Sequence, residues 1–182
     1  MAQQPTIVVF GDSLSASYGI AREAGWVNLM QQTLQKSHSH YQIINASISG
    51  ETASGGVRRA NQVIRQHQPS IVILELGAND ALRGKPVADI QADLGRLIQS
   101  FKKSGAQIVL VGMQLPPNYG GKYTQAFKAM YPKLAKKYKL TLVPFLLDGL
   151  TPEQFQADNL HPVATAQTRI LQNVLPHLQP LL

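Results

Sequence analysis

Thr6-Ile7-Val8-Val9-Phe10-Gly11-Asp12-Ser13-Leu14-Ser15-Ala16-Ser17-Tyr18 begins as a strand and ends as a polar turn. From Thr6 to Phe10 every residue is β-branched or aromatic, with no polar alternation. Such a run predicts a strand covered on both faces, as in parallel sheets. Gly11 and Asp12 predict where it breaks: glycine accepts backbone angles that other residues resist, and aspartate can bond its own backbone in a turn. Ser13 is then presented at the carboxyl end of a central strand, where open α/β sheets hold their chemistry. Gly-Asp-Ser is also ordinary turn composition, so the weight falls on the rest of the chain.

Four further strands are predicted: Tyr41 to Asn45, Ile71 to Leu76, Gln107 to Met113 and Leu142 to Phe145. Between them apolar residues recur at helical spacing. Trp26, Val27, Leu29, Met30 and Leu34 mark a helix from Gly25 to Gln35, with Trp26 in the core. Val57, Ala60, Val63, Ile64 and His67 mark one that Pro69 ends, and Val87, Ile90, Leu94, Leu97, Ile98 and Phe101 one that Gly105 stops. A helix reaching Lys139 carries Phe127, Met130, Leu134 and Tyr138, and Ile170, Leu171, Val174, Leu175 and Leu178 form the last. Strands alternating with helices, without repeats or linkers, predict one domain over residues 1–182. Its expected form is a three-layer α/β/α sandwich around a flavodoxin-like five-stranded parallel sheet of order 2-1-3-4-5, with Ser13 at the switch point.

Composition narrows the chemistry. The chain has no cysteine, which excludes disulfides, a thiolate nucleophile and thiolate metal sites, and leaves serine as the leading nucleophile. The net charge of +7 would suit an anionic partner, but the basic residues are scattered. The densest group, Lys133, Lys136, Lys137 and Lys139, reads as the solvated face of an amphipathic helix and has no interleaved aromatics, so no nucleic-acid partner is expected. No window approaches the roughly 18 uninterrupted apolar residues of a membrane span, so no integral membrane segment is expected either. The first residues lack the basic-then-apolar layout of a signal peptide, which fits a cytosolic start or a mature exported protein equally. Asn45-Ala46-Ser47 matches a glycosylation acceptor, read here as coincidence.

A serine needs a base, and a histidine serves best when a carboxylate fixes its tautomer. Asp158 and His161 lie three apart just before the last helix and can meet without help from the fold, and Pro162 stiffens the segment. His38, His40, His67 and His177 have no such neighbour. Two ligands are too few for a metal, and no third is obvious. Gly11-Asp12-Ser13-Leu14-Ser15, Gly50 after Ile48-Ser49, Gly77-Ala78-Asn79-Asp80 and Asp158-Asn159-Leu160-His161-Pro162 occur in that order, each at a strand end or a helix start.

This set resembles the SGNH hydrolases, also called the GDSL esterase/lipase family, over nearly the whole chain. The resemblance implies Ser13 as nucleophile, His161 as base and Asp158 as its orienting acid. It implies an oxyanion hole made by the Ser13 and Gly50 amides and the Asn79 side chain. Asn45 to Gly50, Leu115-Pro116-Pro117-Asn118-Tyr119-Gly120 and Tyr131 to Ala135 are similar to the bacterial multifunctional thioesterase/lysophospholipase/arylesterase branch. That branch implies a small-molecule or lipid acyl substrate, no metal or organic cofactor, and a periplasmic or secreted location. One departure falls in the base turn, where Asn159 stands in place of the glycine of many relatives.

Two loops are expected to overhang the serine, Ala81 to Pro86 and the one holding Leu115 and Tyr119, with Leu82, Leu115 and Tyr119 as substrate-binding candidates. With Leu146, Leu147 and Leu150 they suggest an apolar acyl pocket rather than the small polar one of a carbohydrate O-acetyl esterase. A non-catalytic flavodoxin-like module that binds a nucleotide or anion is the remaining alternative, and the chain has neither a Gly-x-Gly-x-x-Gly turn after the first strand nor a Gly-Lys-Ser/Thr phosphate loop.

Overall fold

The structure, a computed structural model, describes residues 4–182. Its strands are β1 (Thr6–Gly11), β2 (Gln42–Asn45), β3 (Ile71–Glu75), β4 (Gln107–Val111) and β5 (Thr141–Val143), all parallel in the order β2-β1-β3-β4-β5. The helices are α1 (Trp26–Ser37), α2 (Ala53–His67), α3 (Ala78–Leu82), α4 (Val87–Lys103), α5 (Gly121–Tyr138) and α6 (Gln167–Leu178). Helix α1 packs with α6, while α4 packs with α2 and α5, giving the expected three layers. The unbroken apolar runs of β1 and β3 follow from this cover, since every residue of both strands is buried. Strand β1 lies between β2 and β3, so the chain reverses its direction of winding beside Ser13.

Gly11 does not break its strand. It pairs with Glu75 in register, and its φ is not positive. What it supplies is room, because a Cβ there would lie 2.6 Å from Glu75 Oε2 and 2.9 Å from Ser15 Oγ. The predicted loop after Gly77 is instead the short helix α3 followed by a turn. Gly77, at φ 115°, turns the chain into that helix. Helix α2 begins at Ala53 rather than Val57, because Thr52 caps it by accepting from Gly55 N at 3.1 Å. The glycines of this first turn hide the helical pattern, yet they are there for contact: a Cβ on Gly56 would sit 2.8 Å from Leu76 Cδ1. Strand β5 stops at Val143, before Phe145, since Pro144 has no N–H for the ladder.

Candidate active site

The nucleophile turn is built by its own aspartate. Asp12 Oδ1 accepts from Leu14 N at 3.0 Å, and the Asp12 carbonyl accepts from Ser15 N and Ala16 N. Ser15 is drawn inward, its hydroxyl donating to Glu75 Oε2 at 2.8 Å. Ser13 is left half-buried and facing the other way, with Oγ 2.8 Å from His161 Nε2.

The base turn is equally determined. His161 Nδ1 is 2.6 Å from Asp158 Oδ2, while Asp158 Oδ1 accepts the Leu160 and His161 amides, each at 3.0 Å. The backbone bond from His161, helped by the imidazole and the Leu160 amide, holds the Asp158 carboxyl down to about 2, so it is ionised throughout the neutral range. Asn159 takes the left-handed φ of 56°. Glycine adopts this region freely and asparagine is among the few other residues that tolerate it, so the turn keeps its shape without glycine.

Two residues with no sequence signal hold the halves together. Gln156 Nε2 donates to the Tyr18 carbonyl at 2.9 Å and to the Pro162 carbonyl at 3.1 Å, tying the serine loop to the histidine turn. The Tyr18 ring stands 4.4 Å from the imidazole, centroid to centroid. The Gln156–Tyr18 and Tyr18–His161 contacts join distant parts of the chain and follow no motif spacing, so only the fold reveals them.

The three expected oxyanion donors have different surroundings. Among the described residues, no protein acceptor engages the backbone N–H of Ser13 or of Gly50. Gly50 is exposed at φ 79°, in a turn whose Ile48 amide bonds the Gly11 carbonyl. Asn79 lies on α3 and lines one cavity with Ser13 and His161; its Nδ2 donates to the Glu51 carbonyl at 2.9 Å and to Asp12 Oδ2 at 3.2 Å. These acceptors fix which end of the carboxamide is nitrogen.

Beneath the serine lie two buried acids. Asp12 is adjacent to Ser13 but is not the acid of the relay, since His161 bonds Asp158. Burial pushes Asp12 up to about 6 and, together with the Asp12 charge, pushes Glu75 well above the usual carboxylate range. Glu75 Oε2 already accepts from Ser15 Oγ and Asp12 N, whereas the buried Oε1 has no donor facing it. With its carboxyl pushed up in this way, Glu75 is the member of the pair that holds its proton more tightly.

The cavity over Ser13 holds about 310 Å³, and its walls are largely apolar: Leu82, Met113, Leu115, Pro116, Phe145, Leu147, Phe155 and Leu160. Leu82 and Leu115 stand where the sequence places them. Tyr119 does not line it; the helical turn Pro117–Tyr119 turns its ring outward, and its hydroxyl reaches the Leu82 carbonyl at 3.4 Å, bracing one rim against the other. Leu146 is fully buried in the core, and Leu150 packs against the core outside the cavity. Met113, Phe145 and Phe155 were hidden because they follow strand ends or sit in irregular chain, where no periodicity assigns a face.

A serine, an imidazole and a carboxylate bonded in that order at the switch point of a parallel sheet, with free amides and an apolar cavity alongside, define a serine hydrolase of acyl groups. The match of residues 9–169 to the GDSL-like lipase/acylhydrolase family model agrees, and the chain belongs to that family. It is 44% identical over 183 residues to esterase TesA of Pseudomonas aeruginosa, covering 100% of this chain and 91% of that protein. It is 40% identical over 182 residues to thioesterase 1/protease 1/lysophospholipase L1 of Escherichia coli K12, covering 99% and 86%. A crystal structure of TesA superposes with a TM-score of 0.95 at 44% identity, covering 97% of this chain and 99% of that one. These relatives are of the branch that the loop sequences resemble.

Proposed function

We propose that the chain hydrolyses acyl esters and thioesters of long-chain fatty acids, lysophospholipids among them, through an acyl-enzyme on Ser13. His161 Nε2 takes the Ser13 proton as Oγ bonds to the acyl carbonyl carbon, and the carbonyl π pair becomes the oxyanion. The Ser13 and Gly50 amides and Asn79 Nδ2 receive that oxyanion, while Asp158 holds the imidazole in the tautomer that leaves Nε2 free. As the tetrahedral intermediate collapses, the bond to the leaving alcohol or thiol breaks and His161 returns the proton to it. Water then enters, gives its proton to His161 and bonds to the acyl carbon. Collapse expels Ser13, which recovers the proton, and releases the acid.

The observation that carries this reading is the relay, 2.8 Å from Ser13 to His161 and 2.6 Å from His161 to Asp158, opening onto an apolar cavity. A volume of about 310 Å³ lies at the lower end of the span, about 300–1,000 Å³, that accommodates small ligands, and its hydrocarbon walls suit an alkyl chain better than a sugar. The names of the thioesterase and lysophospholipase relatives support the same substrates. The reading extends to a periplasmic or secreted location, which the branch implies and cell fractionation tests. The decisive experiment is covalent labelling by an organophosphonate, located by mass spectrometry and paired with a panel of esters of increasing acyl length. The label is expected on Ser13, with loss of labelling and turnover in Ser13→Ala; turnover retained by that variant would overturn the proposal.

A further inference from the structure

The Asn79 carboxamide carries two N–H groups, and both are engaged, one on the Glu51 carbonyl at 2.9 Å and one on Asp12 Oδ2 at 3.2 Å. An oxyanion can be served only if one of these bonds opens. The two acceptors are unequal. The Glu51 side chain is clamped by Arg59, whose Nε donates to Glu51 Oε2 at 2.7 Å while Nη1 donates to the Ala46 carbonyl at 2.7 Å, so both ends of that turn are held. The Asp12 bond is the longer at 3.2 Å, and the Asp12 carboxylate keeps another donor when it lets go, Leu14 N at 3.0 Å. Asp12 is therefore the acceptor that yields at least cost.

We propose that Asp12 is a positioning residue for hydrolysis: its carboxylate aims the Asn79 carboxamide in the free enzyme and passes that N–H to the oxyanion when the tetrahedral intermediate forms. The inference rests on the acyl-hydrolase reading above. The exchange conserves hydrogen bonds, since an N–H leaves one anionic oxygen for another, and it spares the intermediate the cost of orienting a loose amide. It also accounts for an acid buried beside a nucleophile that draws on a different carboxylate for its base.

The test is a double-mutant cycle on kcat for a long-chain ester. Asn79→Ala is expected to lower kcat by about 10²- to 10³-fold with KM little changed, as on losing one oxyanion donor. In Asp12→Asn the Leu14 amide claims the only carbonyl oxygen, so the new amide nitrogen faces Asn79 donor to donor. The expected loss in kcat is comparable, again without a rise in KM. The Asp12→Asn/Asn79→Ala double variant should lie within about threefold of Asn79→Ala, because residues that act as a unit are not additive. Losses that multiply would assign Asp12 to the nucleophile turn alone and overturn the inference, as would an Asp12→Asn variant of full activity. Should Asp12→Asn fail to fold, Asp12→Ser, whose hydroxyl can still cap Leu14, repeats the cycle with the same criterion of additivity. Ser13→Ala discriminates the failures: turnover surviving there sinks the hydrolase reading itself, whereas additivity alone sinks only the role of Asp12.

Discussion

Asp158→Asn tests the relay more sharply than deletion of any of its members. Asp158 Oδ1 accepts the Leu160 and His161 amides, each at 3.0 Å, and Oδ2 meets His161 Nδ1 at 2.6 Å. A carboxamide has one oxygen, and the two backbone donors claim it, so the asparagine nitrogen must face Nδ1 as a donor. Nδ1 then has to accept, which puts the ring proton on Nε2, 2.8 Å from Ser13 Oγ. The serine hydroxyl can still accept from that proton but has no base. Wrong-tautomer variants of such relays lose about 10⁴ in kcat, or about 5 kcal/mol of transition-state stabilisation. KM should hold, because the acyl chain binds elsewhere. Stability should change by no more than about 0.5 kcal/mol, since the turn keeps its bonds and the Asp158 side chain is 38% exposed. Asp158→Ala also removes the turn's acceptor and should lower the melting temperature by about 2–4 °C for each kcal/mol lost. Steady-state hydrolysis of a p-nitrophenyl acyl ester and thermal melting measure the two effects. An Asp158→Asn variant within tenfold of the parent would refute the tautomer argument, and one that melts as low as Asp158→Ala would refute the assignment of its oxygen.

Leu115→Ala should cost kcat/KM progressively more as the acyl chain lengthens, up to about fourfold per methylene at about 0.8 kcal/mol each, and leave acetyl esters nearly untouched; equal loss on all chains would contradict a wall role. Glu75 holds its proton in the folded protein well above its ordinary range, so as pH rises past that range the folded state keeps a proton that the unfolded chain has lost. Stability must therefore fall as pH rises there, and more steeply in the parent than in Glu75→Gln, as urea titrations measure; parallel profiles would show that Glu75 is ionised. Gly77→Ala meets both a φ of 115° and the Tyr131 hydroxyl 2.7 Å from the new Cβ, so it should cost about 1–3 kcal/mol and reduce kcat by displacing Asn79; a variant with the parent's melting temperature and rate would show that the turn adapts.

Strand order and the relay were legible because each rests on a local pattern. Covered strands write apolar runs, amphipathic helices write a spacing of three and four, and Asp158 and His161 are close enough to meet by turn geometry alone. Helix α3 was not legible, since only five residues of it exist and its signal is one glycine. The cavity wall was half legible: Leu82 and Leu115 sit beside motifs, while Met113, Phe145 and Phe155 owe their place to where strands end in space. Gln156 and Tyr18 were beyond reach for another reason. They act across 138 residues of chain, through a side-chain amide onto a backbone carbonyl, a contact that any polar residue at the right height could make.

The distribution of unusual backbone says how this site differs from nucleophile elbows, in which the serine itself occupies a strained turn. Ser13 has an ordinary φ; left-handed residues stand later in its loop, at Ser17 and Gly19, and in the turns proposed to serve it, at Gly50, Gly77 and Asn159. The start of its turn is held by hydrogen bonds instead, from Leu14 N to Asp12 and from Ser15 Oγ to Glu75. The proposed oxyanion donors and the base turn are directed by backbone angles that few residues accept. Substitutions at Gly50, Gly77 and Asn159 should therefore act chiefly on kcat through donor and base geometry. Substitutions of the apolar wall should act on chain-length preference, and the two groups should combine additively where they do not touch.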